Sequence, residues 1–297
     1  MIEETPPPHP STAAQHPVSR RAFLTAVAAA PLGAGTRLPQ TRRPVPVGIQ
    51  LYSVRDEVPR DLMGTLTALR SMGYECVEFW APYAEWTTAY AKEVRSHLDA
   101  LGLRCHSNHT SPQQMADEPL RHVVELNHLL GSRHVIMAHA GPQPDLDGWR
   151  RTADRLTRAS ERLGAAGLRA GYHNWDVDFR PVDGTRPIDI LTANTPPDVG
   201  FQLDVATCLA AGVDPLGFIR ANAGRIRSYH IKDWSPDPDM HYRVLLGEGV
   251  GPWRELFDVA ETVGGVEHYL IEQEGSRFTP MDTAKRCLDA FRTLRGA

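Results

Sequence analysis

The sequence predicts a (β/α)8 barrel. From Val45 onward, short apolar runs alternate with amphipathic stretches in units of about thirty residues, as βα repeats do. Eight such runs fit within about 250 residues, the usual length of this fold. The first run leads into Gln50-Leu51-Tyr52-Ser53-Val54-Arg55, not into the glycine-rich turn of a doubly wound open sheet, the main competitor.

The strand candidates are Val47 to Tyr52, Cys76 to Phe79, Arg104 to Ser107, His134 to Ala138, Arg169 to His173, Gly200 to Asp204, Ser228 to Ile231 and Tyr269 to Glu272. Each is short and apolar, as a strand covered on its outer face must be. Helical periodicity fills the gaps, over Asp61 to Met72, Tyr90 to Leu101, Pro119 to Leu130, Gly148 to Ala166, Pro215 to Ala221, Trp253 to Val263 and Pro280 to Leu294. Gly73, Gly102, Gly131 and Gly167 stand just before the next strand, where a left-handed residue closes a helix at little cost.

The chain has 297 residues, 41% hydrophobic and 23% charged, with a net charge of -4. That balance is ordinary for a soluble globular protein. No segment combines clustered Lys and Arg with aromatics, so a nucleic-acid partner is not expected. Cys76, Cys105, Cys208 and Cys287 show no C-x-x-C spacing and are expected as buried free thiols.

The first 44 residues have a different character. A stretch rich in Pro, Ser, Thr and Ala precedes Ser19-Arg20-Arg21-Ala22-Phe23-Leu24 and a run of small apolar residues. This resembles a twin-arginine export signal, which implies recognition by the export machinery and a periplasmic or extracellular location. The apolar run is too short for a stable membrane span. A Pro/Arg linker follows, and residues 45–297 form the single barrel domain of this reading.

In such a barrel the carboxyl ends of the strands line the catalytic mouth. Four residues at the ends of the last four strand candidates, His173, Asp204, His230 and Glu272, form a set of metal ligands. Two imidazoles and two carboxylates suit Mn2+ first, with Zn2+, Co2+ or Fe2+ as alternatives, rather than Ca2+ or Mg2+. Four protein ligands leave open positions for two neighbouring oxygens of a sugar, where the metal would polarise a carbonyl and stabilise an enediolate. Gln50, Tyr52, Glu78, Trp80, His106, Asn174, Trp175 and Glu248 are expected around the substrate, with Trp80, Trp175 and Trp234 available to stack on a sugar ring. Lys232 lies two residues beyond His230 and therefore on the same side of its strand, placed to meet a developing oxyanion or an anionic group of the substrate. His109, His139 and Glu272 are candidates for proton transfer.

These residues resemble the sugar phosphate isomerase/epimerase group of xylose-isomerase-like barrels. The likeness rests on Gly48-Ile49-Gln50-Leu51-Tyr52-Ser53-Val54-Arg55, Val77-Glu78-Phe79, Tyr172-His173-Asn174, Leu203-Asp204-Val205, His230-Ile231-Lys232-Asp233, Gly247-Glu248-Gly249 and Ile271-Glu272-Gln273. It implies a divalent metal on His173, Asp204, His230 and Glu272, and a base role for Glu272. The chain departs from the similar branch at Trp175 and Asp178, where that branch has a second His and a Glu. Any role of that histidine is therefore lost or moved here. The first expectation is a metal-dependent isomerase or epimerase of a sugar or keto-sugar. The alternatives are a lyase or hydratase of 3-keto-glycosides, which export favours, and a sugar-binding barrel without turnover. An abasic-site nuclease would need more ligands and a cationic groove.

Overall fold

The computed structural model describes residues 45–296, so the export segment and linker expected before Val45 lie outside the described residues. Eight parallel strands follow in chain order: β1 (Val47–Gln50), β2 (Cys76–Phe79), β3 (Arg104–Thr110), β4 (His134–Met137), β5 (Arg169–His173), β6 (Gly200–Asp204), β7 (Ile226–Ile231) and β8 (His268–Ile271). Each pairs with its sequence neighbours, and β8 returns to β1 through Val47 with Tyr269 and Ile49 with Ile271. That last pairing closes the barrel and excludes the open sheet.

Helices cover the outside: α1 (Leu62–Met72), α2 (Thr88–Leu101), α3 (Asp117–Leu130), α4 (Leu146–Ala165), α5 (Asp176–Phe179), α6 (Pro187–Asn194), α7 (Val205–Ala210), α8 (Pro215–Ala221), α9 (Trp253–Val259) and α10 (Pro280–Arg295). The side chains of Asp61, Thr87, Asp145 and Thr279 cap free backbone N–H groups at the starts of α1, α2, α4 and α10. In α4 the buried residues Trp149, Ala153, Leu156, Ala159 and Leu163 recur at helical spacing, which turns one apolar stripe onto the sheet. The four cysteines are buried free thiols.

Strict alternation fails in two places. After β5 and after β6 the chain makes two short helices each, and α5, α6 and α7 were not anticipated. Pro187 starts α6 afresh. The short apolar run of α7 follows directly from the end of β6, because Asp204 itself caps it by accepting from Thr207 N at 3.0 Å. The pattern expected to run to Val263 is an α-helix only as far as Val259, followed by a π-helical turn over Ala260–Gly264.

The apolar core lies between sheet and helices, whereas the barrel interior is polar, with Gln50, Glu78, Ser107, Gln202, Ser228 and His230 all buried. At the amino-terminal end of the strands, Glu267 accepts from His134 Nε2 at 2.9 Å and pairs with Arg169 at 2.6 Å and Arg227 at 3.3 Å. The hydrogen bond from His134, aided by the two arginines, lowers Glu267 from 4.5 to about 2. A depressed carboxylate stabilises the fold above its ordinary value, and that stability is lost as pH falls toward about 2. Glu267→Gln should therefore destabilise at pH 7 by about 1–2 kcal/mol, discounted because the side chain is 35% exposed. Urea melts should show this deficit shrinking between pH 4.5 and about 2; a deficit unchanged by acid would contradict the linkage.

Candidate metal centre

The ends of β5, β6, β7 and β8 bring His173, Asp204, His230 and Glu272 together. Among the described residues, one ligand atom from each lies within 4.8 Å of all the others. Donors sharing one ion through bonds of about 2.1 Å stand about 3–4 Å apart, so small side-chain rotations suffice. His173 Nδ1 donates to the Ala138 carbonyl at 3.1 Å, which leaves the lone pair on Nε2. That nitrogen is buried without a hydrogen-bond partner and lies 3.8 Å from Asp204 Oδ2. A buried, unpaired imidazole nitrogen facing a carboxylate is what a metal ligand presents. The donor set and the orphaned nitrogen therefore fit a divalent ion held by these four residues.

Asp204 divides its work: Oδ1 caps α7, and Oδ2 faces the other ligands. Burial would raise its carboxyl, but Lys232 above all, with His173, holds it below the ordinary range. Burial would likewise raise Glu272, yet His230 and Lys232 keep it well below. His230 lies between two acids, with Nδ1 at 3.1 Å from Glu272 Oε2 and Nε2 at 2.9 Å from Glu78 Oε1. Burial alone would push it down; Glu272 and Glu78 instead push it up to about 10. The site thus calls for positive charge where Nδ1 and Glu272 meet.

Glu78 lies underneath, with no exposed surface, and accepts from Gln50 Nε2 at 2.7 Å, Gln202 Nε2 at 2.9 Å, His230 Nε2 and Ser107 Oγ. Burial opposes its charge, but His109 and His230 hold it ionised. The Gln202 amide nitrogen is committed to Glu78 and to Ser228 at 3.1 Å, so its oxygen faces His109 Nε2 at 2.6 Å. His109 therefore carries its proton on Nε2 and keeps the Nδ1 lone pair; burial lowers it to about 4.

Above the ligands opens a cavity of about 330 Å³, lined in part by Gln50, Tyr52, Trp80, His109, His139, Trp175, Lys232 and Glu274. Lys232 is buried, 3.9 Å from Asp204 and 3.7 Å from Glu272, and also pairs with Glu274. Although burial lowers it, these three carboxylates hold it above the ordinary lysine value. Tyr52 and Trp175 are exposed at the rim, and Trp175 Nε1 donates to the Ala138 carbonyl at 2.8 Å.

Five expectations need correction. Glu78 does not line the cavity; it supports His230 from below. His106 sits at the opposite end, its ring 5.3 Å from that of His268, because β3 runs on to Thr110 and carries only His109 to the mouth. Asn174 is buried and bonded to Thr207 Oγ1 at 2.8 Å and Asp204 N at 3.0 Å, so it positions a ligand. Glu248 accepts from Leu245 N in its own loop and from Arg277 in the loop after β8. Trp234 packs on His241 away from the cavity wall. That loop is pinned by Asp233, which accepts from Gly247 N, Gly249 N, Gly251 N and Trp253 Nε1. A Cβ at Gly249 would stand 2.3 Å from Asp233 Oδ1, hence the glycine. Gln202 and Ser228 were missed, although each precedes a ligand by two residues and so shares its face of the strand.

The fold and this site define a (β/α)8 barrel with a candidate His/carboxylate metal site at its carboxyl-terminal mouth. The family model for the xylose isomerase-like TIM barrel matches residues 66–294, and the chain belongs to that family. Among solved structures, a sugar phosphate isomerase/epimerase from Parabacteroides distasonis is 22% identical with a TM-score of 0.71, over 87% of this chain and 97% of that one. D-Psicose 3-epimerase from Clostridium cellulolyticum is 15% identical with a TM-score of 0.66, over 84% and 99%. The IolI protein, described with a bound zinc atom, is 14% identical with a TM-score of 0.65, over 85% and 100%. At these identities the likeness speaks for the fold. No curated protein sequence matches the chain.

Glu78→Gln keeps the shape but removes the charged acceptor of His230 Nε2–H. Calorimetric titration with Mn2+ should show affinity reduced about 10–100-fold; unchanged affinity would remove Glu78 from the centre's support.

Proposed function

We propose that this barrel is a divalent-metal-dependent isomerase or epimerase that moves a proton on the carbon next to the carbonyl of an unphosphorylated sugar or keto-sugar. The observation that carries this reading is the meeting of four metal-ligand atoms with Lys232 Nζ under a sugar-sized cavity. When bound, the ion would supply Lewis-acid polarisation of two neighbouring substrate oxygens.

The chain's own groups supply the rest. His109 Nδ1 takes the proton from the carbon beside the carbonyl, and the C–H electron pair moves into the new double bond as charge shifts to oxygen. Return of the proton to the neighbouring carbon, while the hydroxyl proton passes to the former carbonyl oxygen, gives isomerisation. Delivery to the opposite face of a proton that Glu272 has first taken from solvent, with His109 releasing its own to solvent, gives epimerisation. Lys232, already charged and held in place by three carboxylates, faces the developing oxyanion. Glu272, ionised between His230 and Lys232, serves as ligand and as the second proton acceptor.

The charge of the cavity selects against phosphate. Asp204, Glu272 and Glu274 outnumber Lys232, which they already pair, and among the described residues no arginine lines the wall. An exported location, expected from the twin-arginine motif, agrees with a neutral substrate. The aromatic rim of Tyr52, Trp80 and Trp175 favours a second reading on the same site: elimination from a 3-keto-glycoside, in which the same electron pair expels the substituent.

Incubation of the Mn2+-loaded protein with free ketoses and with 3-keto-glycosides in D2O tests both readings by mass spectrometry. Deuterium should enter next to the carbonyl, and aglycone release would mark elimination. His109→Asn should slow incorporation by about 10²–10⁴-fold with metal content retained. Absence of deuterium in every substrate would contradict the proton-transfer chemistry.

A further inference from the structure

We propose that a second concavity beside the metal cavity binds the part of the substrate remote from the reacting carbon, and that this part is a flat, uncharged, apolar group such as an aryl aglycone. The proposal rests on the 3-keto-glycoside reading above and extends it to the other end of the molecule. The concavity measures about 350 Å³ and is walled by Trp80, Pro82, Trp86, Tyr90, Val58 and Arg60. Trp80 lines both it and the metal cavity, so a ligand seated over the metal can continue past this one side chain into the groove.

The wall chemistry identifies the occupant. Trp86 holds Tyr90 and Phe79 edge-on, each with ring centroids 5.0 Å away, which fixes a set of aromatic surfaces for a planar guest. Among the described residues no acid lines the groove, and its one charge is the guanidinium of Arg60, whose side chain is 72% exposed and 3.5 Å from Glu57. A planar guanidinium among aromatic rings stacks on a π-system, whereas a lone cation at an apolar groove is poorly built for a phosphate. The volume suits one ring system. A second copy of the chain would need a contact of about 800 Å² per partner, for which a concavity this small gives no platform. Two adjoining cavities with one shared indole match a glycoside, sugar in one and aglycone in the other.

The test compares phenyl β-D-glucoside with methyl β-D-glucoside by calorimetric titration of the full chain loaded with Mn2+. The phenyl compound should bind about tenfold more tightly, the worth of one well-formed aromatic contact. In Tyr90→Ala and in Trp86→Ala the ratio of the two affinities should fall to near one. Tyr90 is 36% exposed, so its variant keeps the test valid if loss of Trp86 impairs folding. Equal affinities in the unaltered protein, or a ratio preserved in Tyr90→Ala, would overturn the groove proposal while leaving sugar binding intact. A change of sedimentation mass in the variants with the ratio preserved would also overturn it, by assigning the groove to a subunit contact. Failure of both glucosides to bind would instead remove the glycoside reading, and the groove proposal with it, while the ketose chemistry is read separately from the deuterium experiment.

Discussion

The site depends on a carboxylate that no solvent reaches. Glu78 is buried at the centre of the barrel and ionised, a state that costs several kcal/mol unless hydrogen bonds and opposite charge compensate it. Gln50, Ser107, Gln202 and His230 all donate to it, and His109 Nε2 lies 3.1 Å away. Each donor is thereby oriented. His230 is turned so that Nδ1 looks toward Glu272, and Gln202 is turned so that its oxygen fixes the His109 tautomer. One buried charge thus sets the ring orientation of the candidate ligand His230 and, through Gln202, the tautomer of His109.

The same network extends away from the mouth. Ser107 Oγ donates to Glu78 and lies 2.9 Å from His268 Nε2, whose ring packs against His106 and His134. Burial, with His134 and His106 nearby, holds His268 well below the ordinary histidine value, so Nε2–H is a neutral donor to Ser107. The polar interior is continuous from the metal centre to the Glu267 cluster at the far end. Such networks are stable only when every member is satisfied, and of the four buried side-chain atoms without partners among the described residues, His173 Nε2 is the one in the metal centre. The unsatisfied atom is where the proposed divalent ion would complete the set.

Much of this was legible in the residue order. Strand period and turn glycines give the closed alternation, and the four ligands are visible because metal chemistry needs distinctive side chains at consecutive strand ends. The supporting residues are harder to see, because their roles come from side chains meeting across the barrel. Glu78 and His106 look like mouth residues when strand ends alone are considered; depth in the barrel decides otherwise, since β3 extends three residues beyond the expected end. Glu248 looks like a loop acid free to close on substrate, but Arg277, 29 residues on, claims both carboxylate oxygens. Glu274 lines the cavity and anchors Lys232, a pairing that sequence spacing does not reveal.

The central claim is that His173, Asp204, His230 and Glu272 hold one divalent cation. Crystals grown with Mn2+ and measured at the manganese absorption edge test it directly. The account predicts a single strong anomalous peak bonded to His173 Nε2, His230 Nδ1 and one oxygen each of Asp204 and Glu272. A peak seated instead among Glu78, His109 and His230, or no peak between the four ligands, would contradict it.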